Sequence, residues 1–240
     1  VADASDSNDA VWRSDAGVAS YLATAEARER RRAAPRRLLA ELLPFADDEA
    51  FTFIDLGAGT GAAARAVLDR FPNARAVLAD FSAQMRAEAE REMAGYAGRF
   101  SYVEHDLNSP HWSEAIPAAV PAVVTSLCVH HLPDERKQGL LAEIFARLAP
   151  GGWYLNFDAV SPPDDLVAAA WERANDREDP ESRARREHAS EEERLRHANH
   201  VRHMVPLGQL LDYVRGAGFE AVDVYWKELD FVIVGGRRPQ

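Results

Sequence analysis

The 240 residues carry 47% hydrophobic and 28% charged side chains, proportions of a folding globular chain, and the length suits one α/β domain with elaborations. A formal net charge of -11 disfavours a phosphate-backbone partner, so no nucleic acid is expected, and the single cysteine, Cys128, excludes an internal disulfide or a thiolate metal cage and fits a reducing, cytoplasmic setting. No apolar run approaches the roughly 20 residues that span a bilayer, and the acidic N-terminus lacks an apolar signal core, so no membrane partner is expected.

In chain order, apolar periodicity predicts helices over about Ser14 to Arg30 and Pro35 to Leu43, the latter with Leu38, Leu39, Leu42 and Leu43 on one face. Phe51 to Leu56 is short and β-rich, and Gly57-Ala-Gly-Thr-Gly61 and an alanine-rich helix to about Arg70 follow it at once. The alternation repeats with strands at Arg75 to Ala79, Phe100 to Glu104, Ala122 to Leu127 and Trp153 to Phe157, and helices at Ser82 to Ala94 and Asp134 to Leu148. Such alternation predicts a mostly parallel sheet covered on both faces. It breaks at Ser161-Pro162-Pro163, where about forty highly charged residues read as an inserted helical lid. A helix at Leu207 to Ala217 and two close strands from Phe219 and Asp230 end the chain as a hairpin. The expected architecture is a Rossmann-like, doubly wound, seven-stranded α/β sheet with an antiparallel C-terminal hairpin, in one domain: cap helices over 1–45, a core over 51–158, a lid over 160–205 and a C-terminal helix and hairpin over 206–240.

The feature that carries chemistry is Asp55-Leu-Gly57-Ala-Gly59-Thr-Gly61 directly after a strand, where glycines let the backbone turn sharply and approach a ligand. Its spacing is G-x-G-x-G, without the extra residue of the pyrophosphate fingerprint, which points to a nucleoside ligand without a diphosphate. Asp80 ends the next strand about twenty residues after the glycines, where a carboxylate accepts hydrogen bonds from ribose hydroxyls. Asp106 follows the third strand, at the sheet edge where an adenine amino group is read.

Over nearly its whole length the sequence resembles the class I S-adenosylmethionine-dependent methyltransferases. The matching segments are Asp55 to Gly61, Ala79-Asp-Phe-Ser-Ala-Gln-Met85, His105-Asp-Leu107, Ser126-Leu-Cys-Val-His-His-Leu-Pro-Asp134, Leu148-Ala-Pro-Gly-Gly152 and the hairpin after Gly218-Phe219. The resemblance implies S-adenosyl-L-methionine as cofactor and a small-molecule methyl acceptor as partner. It places Asp55, Gly57, Gly59 and Gly61 at the amino acid moiety, Asp80 and Phe81 at the ribose, Met85, Asp106 and Leu107 at the adenine, and Ser126 and Leu127 beneath the sulfonium. Family members use N-terminal helices as a cap, which makes Trp12 and Tyr21 acceptor-site candidates. The chain departs from the pattern at Ile116 to Val124, where prolines replace the acidic residue that often precedes the fourth strand, a matter of local strand geometry.

Methyl transfer needs in-line alignment and a dry pocket more than covalent help. A hydroxyl acceptor gains from a base, and His131 and Asp158, after the fourth and fifth strands, stand at the catalytic edge; for His131 the alternative is a loop residue ahead of the helix that Pro133-Asp134 opens. Trp171, Arg173, Asn175 and His203 of the lid are acceptor-site candidates, against a solvated helix face. His197, His200 and His203 recur at every third position, a spacing that spreads three ligands over a wide helical arc, so no metal is expected. Two other activities stay open. The lid segment Trp171-Glu-Arg-Ala-Asn175 is similar to that of carboxy-S-adenosylmethionine synthases, with Arg194 or Arg196 near the place of their carboxylate-binding arginine, and a cofactor-binding protein without turnover has the same motifs. A homodimer is the one assembly entertained, with no residue that fixes it.

Overall fold

The computed structural model describes residues 15–23 and 25–240. Two helices, α1 (Asp15–Ala23) and α2 (Ala25–Glu41), precede the sheet. The expected break near Pro35 is absent: α2 runs through this proline, which forfeits one amide donor inside the helix but lies buried. The core continues as β1 (Thr52–Leu56), α3 (Ala62–Arg70), β2 (Arg75–Asp80), α4 (Ala83–Glu92), β3 (Phe100–Glu104), β4 (Val120–Ser126), α5 (Asp134–Arg147) and β5 (Leu148–Ala159). Three helices of the lid follow, α6 (Asp165–Glu178), α7 (Pro180–Glu187) and α8 (Glu191–Val201), and α9 (Leu207–Gly216), β6 (Glu220–Glu228) and β7 (Phe231–Arg237) close the chain.

The sheet has seven strands in the order β3-β2-β1-β4-β5-β7-β6. β1 to β5 are mutually parallel, and β7 inserts antiparallel between β5 and β6. Alternation along β1 sorts its side chains by face. Phe53 joins Leu39, Leu68 and Phe71 under α2 and α3, whereas Ile54 and Leu56 join Leu140, Leu141 and Ile144 of α5 on the other face. A third cluster of Val160, Val205, Leu210, Val232 and Val234 seats the lid's base on the hairpin, with Trp171 packed against it. The proline-rich approach to β4 is the irregular place anticipated: Ala119 has φ +55°, and the β4–β5 register shifts between Val120 and Ala122.

Capping residues set where helices start. Ser82 accepts from the Met85 amide at α4, Asp164 from Val167 at α6, and Ser190 with Glu193 forms a reciprocal capping box at α8. The strand order reverses between β1 and β4, so the helices that follow them lie on opposite faces and leave a crevice at the strands' carboxyl ends, where open α/β sheets bind ligands.

Candidate functional site

A cleft of about 890 Å³, counted out to its open mouth, occupies that crevice. Its floor is the turn after β1. Gly57 (φ +63°) donates to the Ala79 carbonyl at 2.8 Å, and a Cβ on Gly57 would lie 2.6 Å from both Cβ and Sγ of Cys128, so only glycine fits. Gly59 (φ +52°) differs: a Cβ there would meet only Met85 Sδ, at 4.0 Å, and would otherwise fill open space in the cleft. Asp80 holds this turn to the end of β2, its Oδ2 accepting from Gly59 N and its Oδ1 from Ser82 N, both at 2.9 Å. Burial raises the Asp80 pKa while these amides and Phe81's pull it down.

Asp55 lies beneath the turn, fully buried. Its Oδ2 accepts from Ala64 N at 2.9 Å, and its Oδ1 has no hydrogen-bond partner. Desolvation pushes its pKa up to about 7, against the amide of Ala64 and the charge of Arg36. Asp55 and Gly61 therefore support the cleft from below, and neither is among the residues lining it. The other expected cofactor residues, Gly57, Gly59, Asp80, Phe81, Met85, Asp106, Leu107, Ser126 and Leu127, all line it. Leu127 does so with φ +57°, a left-handed conformation unfavourable for a branched side chain, held by its amide's 2.8 Å bond to the Phe157 carbonyl.

Among the lining residues that sequence reasoning missed, three bear on the chemistry: Arg36, His105 and Cys128. Arg36 of α2 is buried, with its guanidinium Nε donating to Ser126 Oγ at 3.1 Å and its Nη1 paired with Glu29. It is the single Lys or Arg among the described lining residues, and the one signal for it was an arginine on the apolar side of α2. His105, packed against Trp112 with ring centroids 4.9 Å apart and planes tilted by 39°, has its pKa lowered chiefly by burial. The Cys128 thiol donates to the Leu56 carbonyl at 3.2 Å, and burial raises its pKa well above the usual thiol value, so it is no thiolate nucleophile.

The two candidate bases part company. His131 lines the cleft, and burial, with the neighbouring His130, His200 and His203, lowers its pKa, so it is neutral at physiological pH. Asp158 is buried away from the lining: its Oδ2 accepts from His130 N (3.0 Å) and Asn156 Nδ2 (3.3 Å), and its Oδ1 accepts from Ala159 N (3.0 Å) and pairs with His130 Nδ1. It thus orients His130 instead of meeting a substrate.

Tyr21 lines the cleft, and Trp12 lies outside the described residues. The four lid candidates are elsewhere. Trp171 carries the Lys227 ammonium over its ring at 4.4 Å, Arg173 is exposed, Asn175 accepts from Arg31 at 3.5 Å, and the His203 carbonyl accepts from the buried Lys137. None of the four is a lining residue. Arg194 is exposed on α8 and outside the lining as well.

Residues 53–152 match the methyltransferase domain family. Trans-aconitate 2-methyltransferase of Azoarcus sp. (strain BH72) is 36% identical over 132 residues, which span 55% of this chain and 46% of that protein. An O-methyltransferase family protein from Burkholderia thailandensis superposes with a TM-score of 0.72 at 20% identity, over 98% of this chain and 64% of its own. Human N-acetylserotonin methyltransferase, in complex with SAM, superposes with a TM-score of 0.66 at 14% identity, over 96% of this chain and 58% of its own. The chain spans about half the length of the Azoarcus relative. The core formed by residues 53–152 thus carries the sequence pattern of the methyltransferase domain, on a fold shared with solved methyltransferases.

Proposed function

We propose that this chain transfers the methyl group of S-adenosyl-L-methionine to an oxygen or nitrogen of a small metabolite in the cytoplasm. The observation that carries the reading is the convergence in one cleft of an open glycine cradle at Gly59, the carboxylates of Asp80 and Asp106, the apolar Met85 and Leu107, and the guanidinium of Arg36. These groups fit the cofactor's parts: Asp80 the ribose hydroxyls, Asp106 with Met85 and Leu107 the adenine, Gly57 to Gly59 the amino acid moiety, and Arg36 the carboxylate of that moiety. Bound S-adenosylmethionine supplies an activated methyl group with its own leaving group. The chain's residues then need to orient and to exclude water. Ser126, Leu127 and Cys128 close the cleft floor, Tyr21 and His131 form walls toward the acceptor side, and Asp158 positions His130 behind them.

A small acceptor agrees with the acidic chain, which disfavours a nucleic-acid substrate. The exposed position of Arg194 gives no support to a carboxylated cofactor. Isothermal titration of S-adenosylmethionine and S-adenosylhomocysteine into the purified chain tests the cofactor site, and S-adenosylhomocysteine release in the presence of hydroxyl- and amine-bearing metabolites tests turnover. Saturable binding with acceptor-dependent release is expected. Binding without release from any acceptor identifies a non-catalytic binder, and absence of binding refutes the proposal.

A further inference from the structure

We propose that His130, His131 and His200 form a binding site for a divalent transition-metal ion of the zinc type, which bridges the lid to the wall of the cleft. His130 and His131 lie on the short turn after β4, and His200 comes from α8, about seventy residues on. One ring nitrogen from each lies within 4.8 Å of the other two, and the ring centroids are 3.9, 5.1 and 5.2 Å apart. Tetrahedral nitrogen ligands at about 2.0–2.1 Å from zinc stand about 3.3 Å from one another. The imidazoles therefore need to draw together by little more than a side-chain rotation.

The orientation of His130 is what distinguishes this cluster from a chance meeting of rings. Its Nδ1 is held by the Asp158 carboxylate, and its Nε2 is buried with no hydrogen-bond partner. A carboxylate on one ring nitrogen with the other nitrogen presented outward is how metal-ligating histidines are fixed in tautomer and direction. A buried nitrogen left without a partner is also costly, and a metal ion satisfies it. Asp158 is itself anchored by Asn156 and by the amides of His130 and Ala159, so the support extends into β5.

Three imidazole ligands with no carboxylate in direct coordination suit zinc, copper, nickel or iron and not magnesium or calcium. Three protein ligands leave a fourth position, which water or an oxygen of the acceptor fills. His131 lines the cleft, so the ion sits at the acceptor's wall and ties α8 to the core.

Zinc alone is the probe, and its binding is read without turnover, so the outcome is independent of the methyl-transfer proposal. Titration of zinc chloride into the chelator-stripped full chain at about pH 7.5, above the ordinary histidine pKa, is expected to show a single tight equivalent. His200→Ala, a change on the lid helix outside the sheet core, is expected to weaken that equivalent by more than roughly 100-fold, since loss of an outer-shell partner alone costs 10–100-fold. His197→Ala on the same helix is expected to leave it intact. Circular dichroism confirms that each variant is folded, and cobalt in place of zinc is expected to give the visible absorption of a four-coordinate nitrogen site that His200→Ala abolishes. Failure of the parent chain to take up a stoichiometric equivalent, or an equivalent that survives His200→Ala in the folded protein, overturns the proposal.

Discussion

Two residues under the glycine turn show how burial sets chemistry at this site. Asp55 has a native pKa of about 7 against 3.8 for the exposed carboxyl, so between these values the native state holds more protons than the unfolded one. Stability contributed by Asp55 is then complete at acid pH and is lost as pH rises toward 7. The slope approaches about 1.4 kcal/mol per pH unit for one group. In thermal melts between pH 4 and 7, Asp55→Asn is expected to flatten this part of the profile; an unaltered profile excludes a protonated Asp55. Asp80 has both oxygens on amides of the turn and still faces the cleft. Asp80→Ala is expected to weaken S-adenosylmethionine binding by about 1–3 kcal/mol, the scale of lost hydrogen bonds to a charged group, as read by calorimetry. Gly57→Ala adds a Cβ 2.6 Å from Cys128 and strains a left-handed φ, and is expected to cost about 1–3 kcal/mol in denaturant unfolding.

Among the elements, the lid helices differ from the sheet in what holds them. The central strands β1, β2 and β4 are mostly buried, whereas much of α7 and α8 is exposed and depends on local capping. Ser190 accepts from Glu193 N and Glu193 Oε2 accepts from Ser190 N, so both ends of the capping box close at the start of α8. Ser190→Ala is expected to destabilise that helix by about 1 kcal/mol. In hydrogen exchange this appears as several-fold faster amide exchange confined to α8, with β1 and β4 unaffected; equal protection in the variant would show that tertiary contacts alone hold the helix. The proposed function of Arg36 also belongs to this scale. α2 carries it across the carboxyl edge of β4 to Ser126, so a helix read as a cap contributes a side chain to the cleft floor.

At the scale of the whole molecule, a ligand that binds only the folded chain stabilises it by mass action, about 2.7 kcal/mol at a hundredfold excess over Kd. For a chain of this size that corresponds to a rise of about 5–10 °C in Tm, and a flat Tm under saturating S-adenosylmethionine contradicts the cofactor assignment. The succession of strands and helices, the glycine turn and the carboxylates at the ends of β2 and β3 were legible from residue order, because each is local: a hydrophobic period, a turn that demands positive φ, and a residue at a strand's end. The sequence by itself thereby determined the strands of the sheet, its closing hairpin and the edge of the sheet at which the cleft opens. Tertiary structure alone decided the rest. Asp158 and His131 look equivalent at the ends of their strands, yet the β4–β5 pairing turns Asp158 onto His130 and leaves His131 at the cleft. The every-third spacing of His197, His200 and His203 argued against a shared ligand, whereas packing brings His200 to His130 and His131 from a different element. Arg36 and the lid candidates show the same limit. Which residues share a cleft depends on how separate helices dock, a sum of many long-range contacts that no local pattern encodes.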